Sequence, residues 1–232
     1  MKYRILATSL LAFLAGGAVE AQELDITITN LTHGSHFTPL LVAAHPDSMH
    51  LFEVGKPASD KLQAMAEGGD ISGLTADVDA AGGDNVANPA AGLLAPGDST
   101  SFSLTTGDGN DRLSVVAMVL PTNDGFVGMD SLPIPATPGS YTFKMNAWDA
   151  GTEANDEIVN GGGTPGVAGI PLDPLKKNGT GGSGVAAADS NGNVHIHRGV
   201  IGDTDPAGGP SDLDSRIHRW LNPVARLTIT VK

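Results

Sequence analysis

Apolar and polar residues alternate with a period of two along several short stretches of the chain. In residues 225–232 (ARLTITVK) every second position is apolar, and residues 24–29 (LDITIT) follow the same rule. The pattern is typical of strands with one face on a core and the other in solvent. We predict strands at residues 24–32, 100–106, 112–121, 140–149, 193–200 and 225–232. The first and last strands are regular enough to pair and to tie the two ends of the chain together.

One predicted strand is apolar on both faces. Residues 112–121 (RLSVVAMVLP) contain an unbroken apolar run, which indicates a strand in the centre of a sheet with both faces covered. Between the strands, the chain is dense in Gly, Pro, Asn and Asp, the residues that form turns. This combination predicts an all-β fold, namely an antiparallel β-sandwich.

Two short segments between the strands have helical patterns. Ser59 is placed to cap a helix that begins at Asp60 and runs through DKLQAMAE. Gly68 is predicted to end this helix in the left-handed conformation. A weaker helical pattern follows at residues 71–81. Both segments are too short to form a domain, so we expect one or two short crossover helices between strands.

A long glycine-rich segment interrupts the strand pattern. Residues 149–219 contain no Phe, Tyr or Trp and are rich in Gly, Pro, Asn and Asp. Most of the segment therefore buries too little apolar surface to offset its ordering entropy, and we predict a long loop rather than a second core. The segment begins with acidic residues and closes near VHIH, which suggests that a bound ion orders its ends.

The composition limits the classes of function. The 232-residue chain has a formal net charge of −13, and its basic residues form no cluster longer than Lys176 and Lys177. Nucleic acid is therefore not an expected partner, since phosphate binding needs a basic stripe. The chain has no cysteine, which excludes disulfides, thiolate metal sites and a cysteine nucleophile. An excess of acid favours cations.

The first residues have the pattern of an export signal. Lys2 and Arg4 precede an apolar run at residues 5–18, and small residues follow before a polar sequence begins. We predict a signal peptide at residues 1–21 with cleavage near Ala21, and a single domain at residues 22–232. The expected location is periplasmic or secreted, with no integral membrane segment.

Acidic residues gather where two predicted strands end. Asn123 and Asp124 follow the central strand, and Asp149 and Glu153 lie at the end of strand 140–149. Loop carboxylates and amide oxygens are the ligands that calcium takes. If the two strands are neighbours in one sheet, Asp124 and Asp149 meet at one end of the sandwich. The spacing does not match the helix-loop-helix calcium motif, and a solvated acidic turn is the ordinary alternative.

A pair of histidines offers a second kind of metal site. His195 and His197 lie two residues apart on a predicted strand, so both rings are expected on one face. Imidazoles at this spacing suit copper or zinc, and the four histidines within residues 33–50 offer further ligands. The ordinary alternative is that the pair packs or forms hydrogen bonds at the surface.

Four stretches together resemble one known family. They are residues 45–70 (HPDSMHLFEVGKPASDKLQAMAEGGD), 120–132 (LPTNDGFVGMDSL), 147–156 (AWDAGTEAND) and 222–231 (NPVARLTITV). In this order they are similar to the spondin N-terminal domain of F-spondin and mindin, a family with many exported bacterial members. The resemblance covers most of the chain after the predicted signal peptide.

The resemblance implies an antiparallel β-sandwich that holds a calcium ion at one end by carboxylates. Asp124, Asp149 and Glu153 stand at the matching positions, so the resemblance assigns calcium to these three residues. Gly125 stands where many animal relatives have an aromatic residue, and the cysteines of those relatives are missing. These departures argue against the receptor and adhesion functions of the animal proteins.

We therefore expect an exported, non-enzymatic, calcium-binding β-sandwich of the bacterial type. It would act in adhesion or in binding an unidentified extracellular or cell-surface ligand, with calcium in a mainly structural role. The alternative function is a periplasmic copper- or zinc-binding protein that uses His195 and His197.

Overall fold

The structure is a computed structural model that describes residues 20–175, 179–185 and 191–232. The predicted signal peptide, apart from its last two residues, lies outside the described residues. The strands are β1 (Glu23–Asn30), β2 (His36–Phe37), β3 (Leu41–His45), β4 (Asp84–Ala87), β5 (Ser99–Thr105), β6 (Arg112–Leu120), β7 (Gly125–Pro133), β8 (Gly139–Asp149), β9 (His195–Ile196) and β10 (Ala225–Val231). All of their pairings are antiparallel. The predicted all-β fold is confirmed.

The strands form a nearly closed sandwich. Their order is β4-β3-β6-β7-β8-β10-β1-β5, with β2 added to β6 and β9 added to β8. Strand β8 belongs to both halves, because residues 139–145 pair with β10 whereas residues 146–149 pair with β7. We call β5, β1, β10 and the first part of β8 the first sheet. The second sheet consists of β4, β3, β6, β7, the end of β8 and β9.

The first and last strands pair along their whole length, as the sequence predicts. Ile26 is the partner of Ile229, and Ile28 is the partner of Leu227. These four side chains are at most 1% exposed and lie in the main core between the two sheets. Because strand residues alternate between faces, the Thr residues between them fall on the outer face of the first sheet.

Strand β6 lies in the centre of the second sheet, between β3 and β7, as its two apolar faces predict. Leu113 and Val115 belong to the main core, whereas Val116 and Met118 belong to a second core on the other face. This outer core also contains residues of the two helices that cover the second sheet. The apolar run in β6 is unbroken because both faces of this strand are buried.

The helices are α1 (Asp60–Gly68) and α2 (Ser72–Ala80). Ser59 caps α1, since its side chain accepts a hydrogen bond of 3.1 Å from the backbone N–H of Leu62. The predicted end of α1 is wrong by one residue. Gly68 is still helical, and Gly69 takes the left-handed conformation (φ 74°) and donates its N–H to the carbonyl of Met65.

Several sheet predictions need correction. Strand β7 was not predicted, and it lies between β6 and β8, so residues 112–121 and 140–149 are not neighbours. The short strands β2, β3 and β4 were also missed. Residues 193–200 do not form a full strand, because only His195–Ile196 pairs with β8. A two-residue strand leaves no alternation to detect, and the run LVAAH in β3 is too short to distinguish from a buried helix.

The long segment after β8 is organised by carboxylates more than by apolar side chains. Ile170, Val200 and Leu213 form a small apolar cluster, which the sequence did not predict. The carboxylate of Glu157 accepts backbone N–H groups of residues 201 and 202. Asp212 accepts backbone N–H groups of residues 159, 180 and 182. Fixed backbone donors thus supply order where apolar surface is scarce.

Substitution of single β6 side chains by alanine tests whether both faces of the strand are buried. We expect Leu113→Ala in the main core and Met118→Ala in the outer core each to lower the free energy of unfolding by about 2–5 kcal/mol, because each leaves a cavity. The measurement is chemical denaturation. The exposed Thr105→Ser is a matched control that should change stability by less than about 0.5 kcal/mol. A Met118→Ala variant as stable as this control would contradict the helical cover over the second sheet.

Candidate metal site at one end of the sandwich

Three acidic residues meet at one end of the sandwich, and we call them the acidic cluster: Asp124, Asp149 and Glu153. Asp124 lies in the turn between β6 and β7, and Asp149 is the last residue of β8. They meet although β7 separates their strands, because Gly125 follows Asp124 directly and is the Cα partner of Asp149. Glu153 follows in the loop after β8.

The Asp124 carboxylate is enclosed and only half satisfied. The side chain is 0% exposed. Its Oδ2 atom accepts hydrogen bonds from the backbone N–H of Thr152 (2.8 Å), the hydroxyl of Thr152 (3.2 Å) and the backbone N–H of Glu153 (3.1 Å). The other oxygen, Oδ1, is buried and has no hydrogen-bond partner among the described residues. One oxygen therefore fixes the loop, and the other remains open to a ligand or a proton.

Glu153 has the same asymmetry, and Asp149 does not. The Oε2 atom of Glu153 accepts the backbone N–H of Gly169 at 3.0 Å, while its Oε1 is buried without a partner within the described chain. Both oxygens of Asp149 are engaged, by the backbone N–H of Gly151 (2.8 Å) and by the side-chain amide of Asn155 (2.7 Å). The cluster therefore presents two unsatisfied buried carboxylate oxygens.

Burial makes ionisation of two of these acids costly. Burial raises the pKa of Asp124 to about 7, and the nearby charge of Asp149 contributes to the increase. Burial likewise raises the pKa of Glu153 to about 7, with a further contribution from the charge of Glu67. Within the described ranges, no lysine or arginine forms an ion pair with the cluster. A bound cation or bound protons would offset this charge.

Two neighbouring residues fix the turn that carries Asp124. The Asn123 amide donates to Asp156 at 2.9 Å and accepts the backbone N–H of Glu157 at 3.2 Å. At Gly125, an added Cβ would lie 2.7 Å from the Thr122 hydroxyl and 2.9 Å from His197 Cδ2. A side chain at position 125 would therefore require Thr122 and His197 to move.

The histidine pair lies beside the acidic cluster, but its two rings have different surroundings. His195 Nδ1 lies 3.7 Å from Asp149 Oδ1, and its side chain is 36% exposed. His197 is buried against Trp220, with ring centroids 5.0 Å apart, and its Nδ1 accepts the backbone N–H of Gly199. Two of the earlier histidines have other partners, since the ring of His45 forms a hydrogen bond with Ser114 and that of His50 with Asp130. The copper or zinc site stays a prediction.

The acidic cluster agrees with a calcium site in the type of its donor atoms but not in their number. In the part of the chain that the structure describes, no three His, Asp or Glu side chains are arranged to hold a metal ion. The two unsatisfied oxygens, on Asp124 and Glu153, are hard oxygen donors of the kind that calcium takes. Amide oxygens, backbone carbonyls and water would complete such a site, as they commonly do around calcium.

Comparison with known families agrees with the resemblance in the sequence. The model of the family Spondin_N matches residues 29–158, more than half of the chain. The chain belongs to the spondin N-terminal domain family. This membership indicates an extracellular or secreted protein. No curated protein matches the chain. No helix among the described residues is long and apolar enough to cross a membrane.

The spondin match contains Asp124, Asp149 and Glu153 but ends well before β10. Strand β10 lies between β8 and β1 and supplies core residues from both of its ends. The sheet of this spondin domain is therefore complete only with residues beyond the matched segment. The carboxylate-ordered loop begins at the acidic cluster inside the match, and most of it lies beyond residue 158.

The second sheet of this spondin domain carries a groove that the sequence did not predict. The groove has a volume of about 330 Å³ and is lined by Phe52, Trp148, Val54, Glu53, His50 and Asp130. Asp130 holds the groove together, because its carboxylate binds His50 Nδ1 at 2.6 Å and accepts the backbone N–H of Leu51 at 2.7 Å. Its residues come from three separate chain segments, so no local spacing reveals it.

The raised pKa values predict a pH dependence of the calcium-free protein. A carboxylate whose folded pKa is raised contributes stability below its unfolded pKa, and this contribution is lost as pH rises through the folded pKa. For Asp124 and Glu153 the window runs from about pH 4 to about pH 7. We therefore expect the melting temperature of protein kept in chelator to fall across this window.

The variant Asp124→Asn isolates the contribution of one residue. Its amide oxygen can still accept the hydrogen bonds of the loop, but the side chain no longer titrates, so its melting temperature should fall less steeply with pH than that of the wild type. Calorimetry at several pH values makes the comparison. Identical slopes in the two proteins would show that Asp124 does not titrate in this window.

Proposed function

We propose that the protein is an exported, calcium-stabilised β-sandwich that binds a ligand or mediates adhesion outside the cytoplasm. The observation that carries the calcium assignment is the pair of buried, unpartnered carboxylate oxygens on Asp124 and Glu153. Membership of an extracellular-type family supports the location. A periplasmic and a fully secreted protein both agree with the proposal, as does a bacterial-type origin.

The energetics of burial support a cation at this place. A buried carboxylate oxygen without a donor loses its hydration and gains nothing in return, which costs about 1–3 kcal/mol or more for a charged group. Asp124 and Glu153 each have one such oxygen, and Asp149 adds a third acid that is 1% exposed. A divalent cation would offset the repulsion among the three acids and would give the two oxygens a partner. A solvated acidic turn, the ordinary alternative, would leave its carboxylates in water instead.

The position of the cluster indicates a structural role for calcium. Asp124 belongs to the β6–β7 turn, Asp149 ends β8, and Glu153 begins the long loop. Through Oδ2, Asp124 already binds the backbone of residues 152 and 153. A cation on Oδ1 would join the same three segments from the other side. Calcium would therefore stabilise the loop where it leaves the sheet, while other surfaces bind the ligand.

The decisive experiment measures metal content and then the effect of calcium on melting. Protein purified without chelator or histidine tag is analysed by elemental mass spectrometry, and its melting temperature is measured after calcium is removed and restored. We expect calcium near one equivalent and a reversible increase in melting temperature. At a calcium concentration about 100 times the dissociation constant, the gain in stability is about 2.7 kcal/mol.

Matched substitutions test the assigned residues. Asp124→Asn and Asp149→Asn should each abolish or strongly reduce the calcium response, whereas Asp98→Asn, an exposed acid outside the cluster, should retain it. Unchanged responses in both cluster variants would refute the assignment. Copper or zinc in place of calcium would instead support a role of His195 and His197 in metal binding.

A further inference from the structure

The outer face of the first sheet is an array of hydroxyl groups, which we call the hydroxyl face. Its members share an outward position in β5, β1, β10 or the first part of β8, and they form cross-strand rows. The middle row is Ser101, Thr27, Thr228 and Thr142; the next rows are Ser103, Asp25, Thr230 and Ser140, and Ser99, Thr29, Arg226 and Lys144. Ten of these twelve positions thus carry a hydroxyl or a carboxylate.

The side chains of the hydroxyl face hold one another in fixed positions. Thr27 and Ser101 form a hydrogen bond of 2.8 Å, and so do Thr29 and Ser99. Ser103 donates to Asp25 at 2.7 Å. A hydroxyl has one donor and two acceptor sites, so each pair keeps capacity for a ligand. The array is therefore preorganised without being saturated.

Most of the hydroxyl face is open to solvent, and Thr29 is its one buried member among the described residues. Both helices contribute to the outer core on the second sheet, and the serines and Thr142 of the first sheet are exposed. A shallow depression of about 380 Å³ follows β1 and β5 and is lined in part by Asp25, Thr27, Ser101 and Ser103. Strand geometry spaces neighbouring groups by about 4.8 Å across the sheet and about 6.8 Å along it. These spacings suit an extended polymer with regularly placed polar groups.

Two basic residues on this face lack acidic partners. Lys144 and Arg226 are direct cross-strand partners, and both are exposed. Like charges placed opposite one another destabilise a sheet. Neither residue forms an ion pair within the described ranges, although the chain has a net charge of −13. Arg226 does contact the array, since its Nη2 donates to the Thr29 hydroxyl at 3.3 Å.

We propose that the hydroxyl face binds an acidic polysaccharide. The hydroxyl rows would exchange hydrogen bonds with sugar hydroxyls, and Lys144 and Arg226 would contact a carboxylate or sulfate on the same polymer. Threonine is common on solvated strands because of its strand propensity. Strand propensity does not explain why two cations, Lys144 and Arg226, lie opposite one another without acidic partners. Two cations in a strongly acidic protein are too few for nucleic acid, whose binding requires many phosphate contacts.

The test compares three soluble polymers by isothermal titration calorimetry with the whole protein. Carboxymethyl dextran carries both hydroxyls and carboxylates, dextran carries hydroxyls alone, and polyglutamate carries carboxylates alone. We expect clear binding of carboxymethyl dextran and at least roughly tenfold weaker binding of the other two. Equal binding of polyglutamate would show simple anion binding, and equal binding of dextran would show that charge is not recognised. Either result, or no binding of any polymer, would overturn the proposal.

Variants locate the binding surface. The double variant Lys144→Ser/Arg226→Thr should bind carboxymethyl dextran roughly tenfold more weakly. The triple variant Thr27→Val/Thr142→Val/Thr228→Val keeps side-chain shape and strand propensity, so it should lose binding while its melting temperature remains close to that of the wild type. The double variant Lys56→Ser/Arg219→Thr is the matched control, because it removes the same charge from outside the face. Loss of binding in this control equal to that in Lys144→Ser/Arg226→Thr would contradict the assignment.

The proposal rests on the ligand-binding role proposed above, but it does not depend on the metal. Titrations in chelator and in calcium, together with the melting experiment, separate the two. A normal calcium response without polymer binding would overturn only the hydroxyl face as a binding surface. Polymer binding without any calcium response would overturn only the metal assignment.

Discussion

The enclosed carboxylate of Asp124 connects the two parts of this protein. Its backbone belongs to the turn that joins the neighbouring strands β6 and β7 at one end of the sandwich, and its Oδ2 atom accepts three hydrogen bonds from residues 152 and 153. The long loop therefore leaves the sheet along a path set by one side chain. This connection requires a buried carboxylate, whose charge is costly away from water, and a bound cation would offset that cost.

Carboxylates that accept backbone N–H groups also order the rest of the loop. Glu157 accepts backbone N–H groups of residues 201 and 202 and the hydroxyl of Ser211, and Asp212 accepts three backbone N–H groups. Carboxylates hold backbone donors more strongly than neutral acceptors do, so a segment with few apolar residues can still be fixed. Some of the acidic residues of this chain therefore stabilise its loop from inside. The first sheet shows the opposite arrangement, with hydroxyls and two unpaired cations on an open face.

The hydrophobic pattern predicted those strands that keep a single burial pattern along their length. Strand β1 and strand β10 alternate because one face of each lies in the main core, and β6 is apolar throughout because it is covered on both faces. Strand β7 was missed because GFVGMDSLP is buried on both faces in its first half and partly exposed in its second, so no single period describes it. The helix end moved from Gly68 to Gly69, since either of two adjacent glycines can take the left-handed conformation.

The sequence by itself determined the all-β class, the central strand, the pairing of the terminal strands and the helix cap at Ser59. The assignment of a metal to Asp124, Asp149 and Glu153 stays a prediction. The sequence predicted that Asp124 and Asp149 meet, but for a wrong reason, since their strands are not neighbours. Only the tertiary structure decided that Gly125 pairs with Asp149, which carboxylate oxygens are left without a partner, and that Lys144 lies opposite Arg226. Burial and register depend on contacts between residues far apart in the chain, and such contacts leave no periodic trace in the sequence.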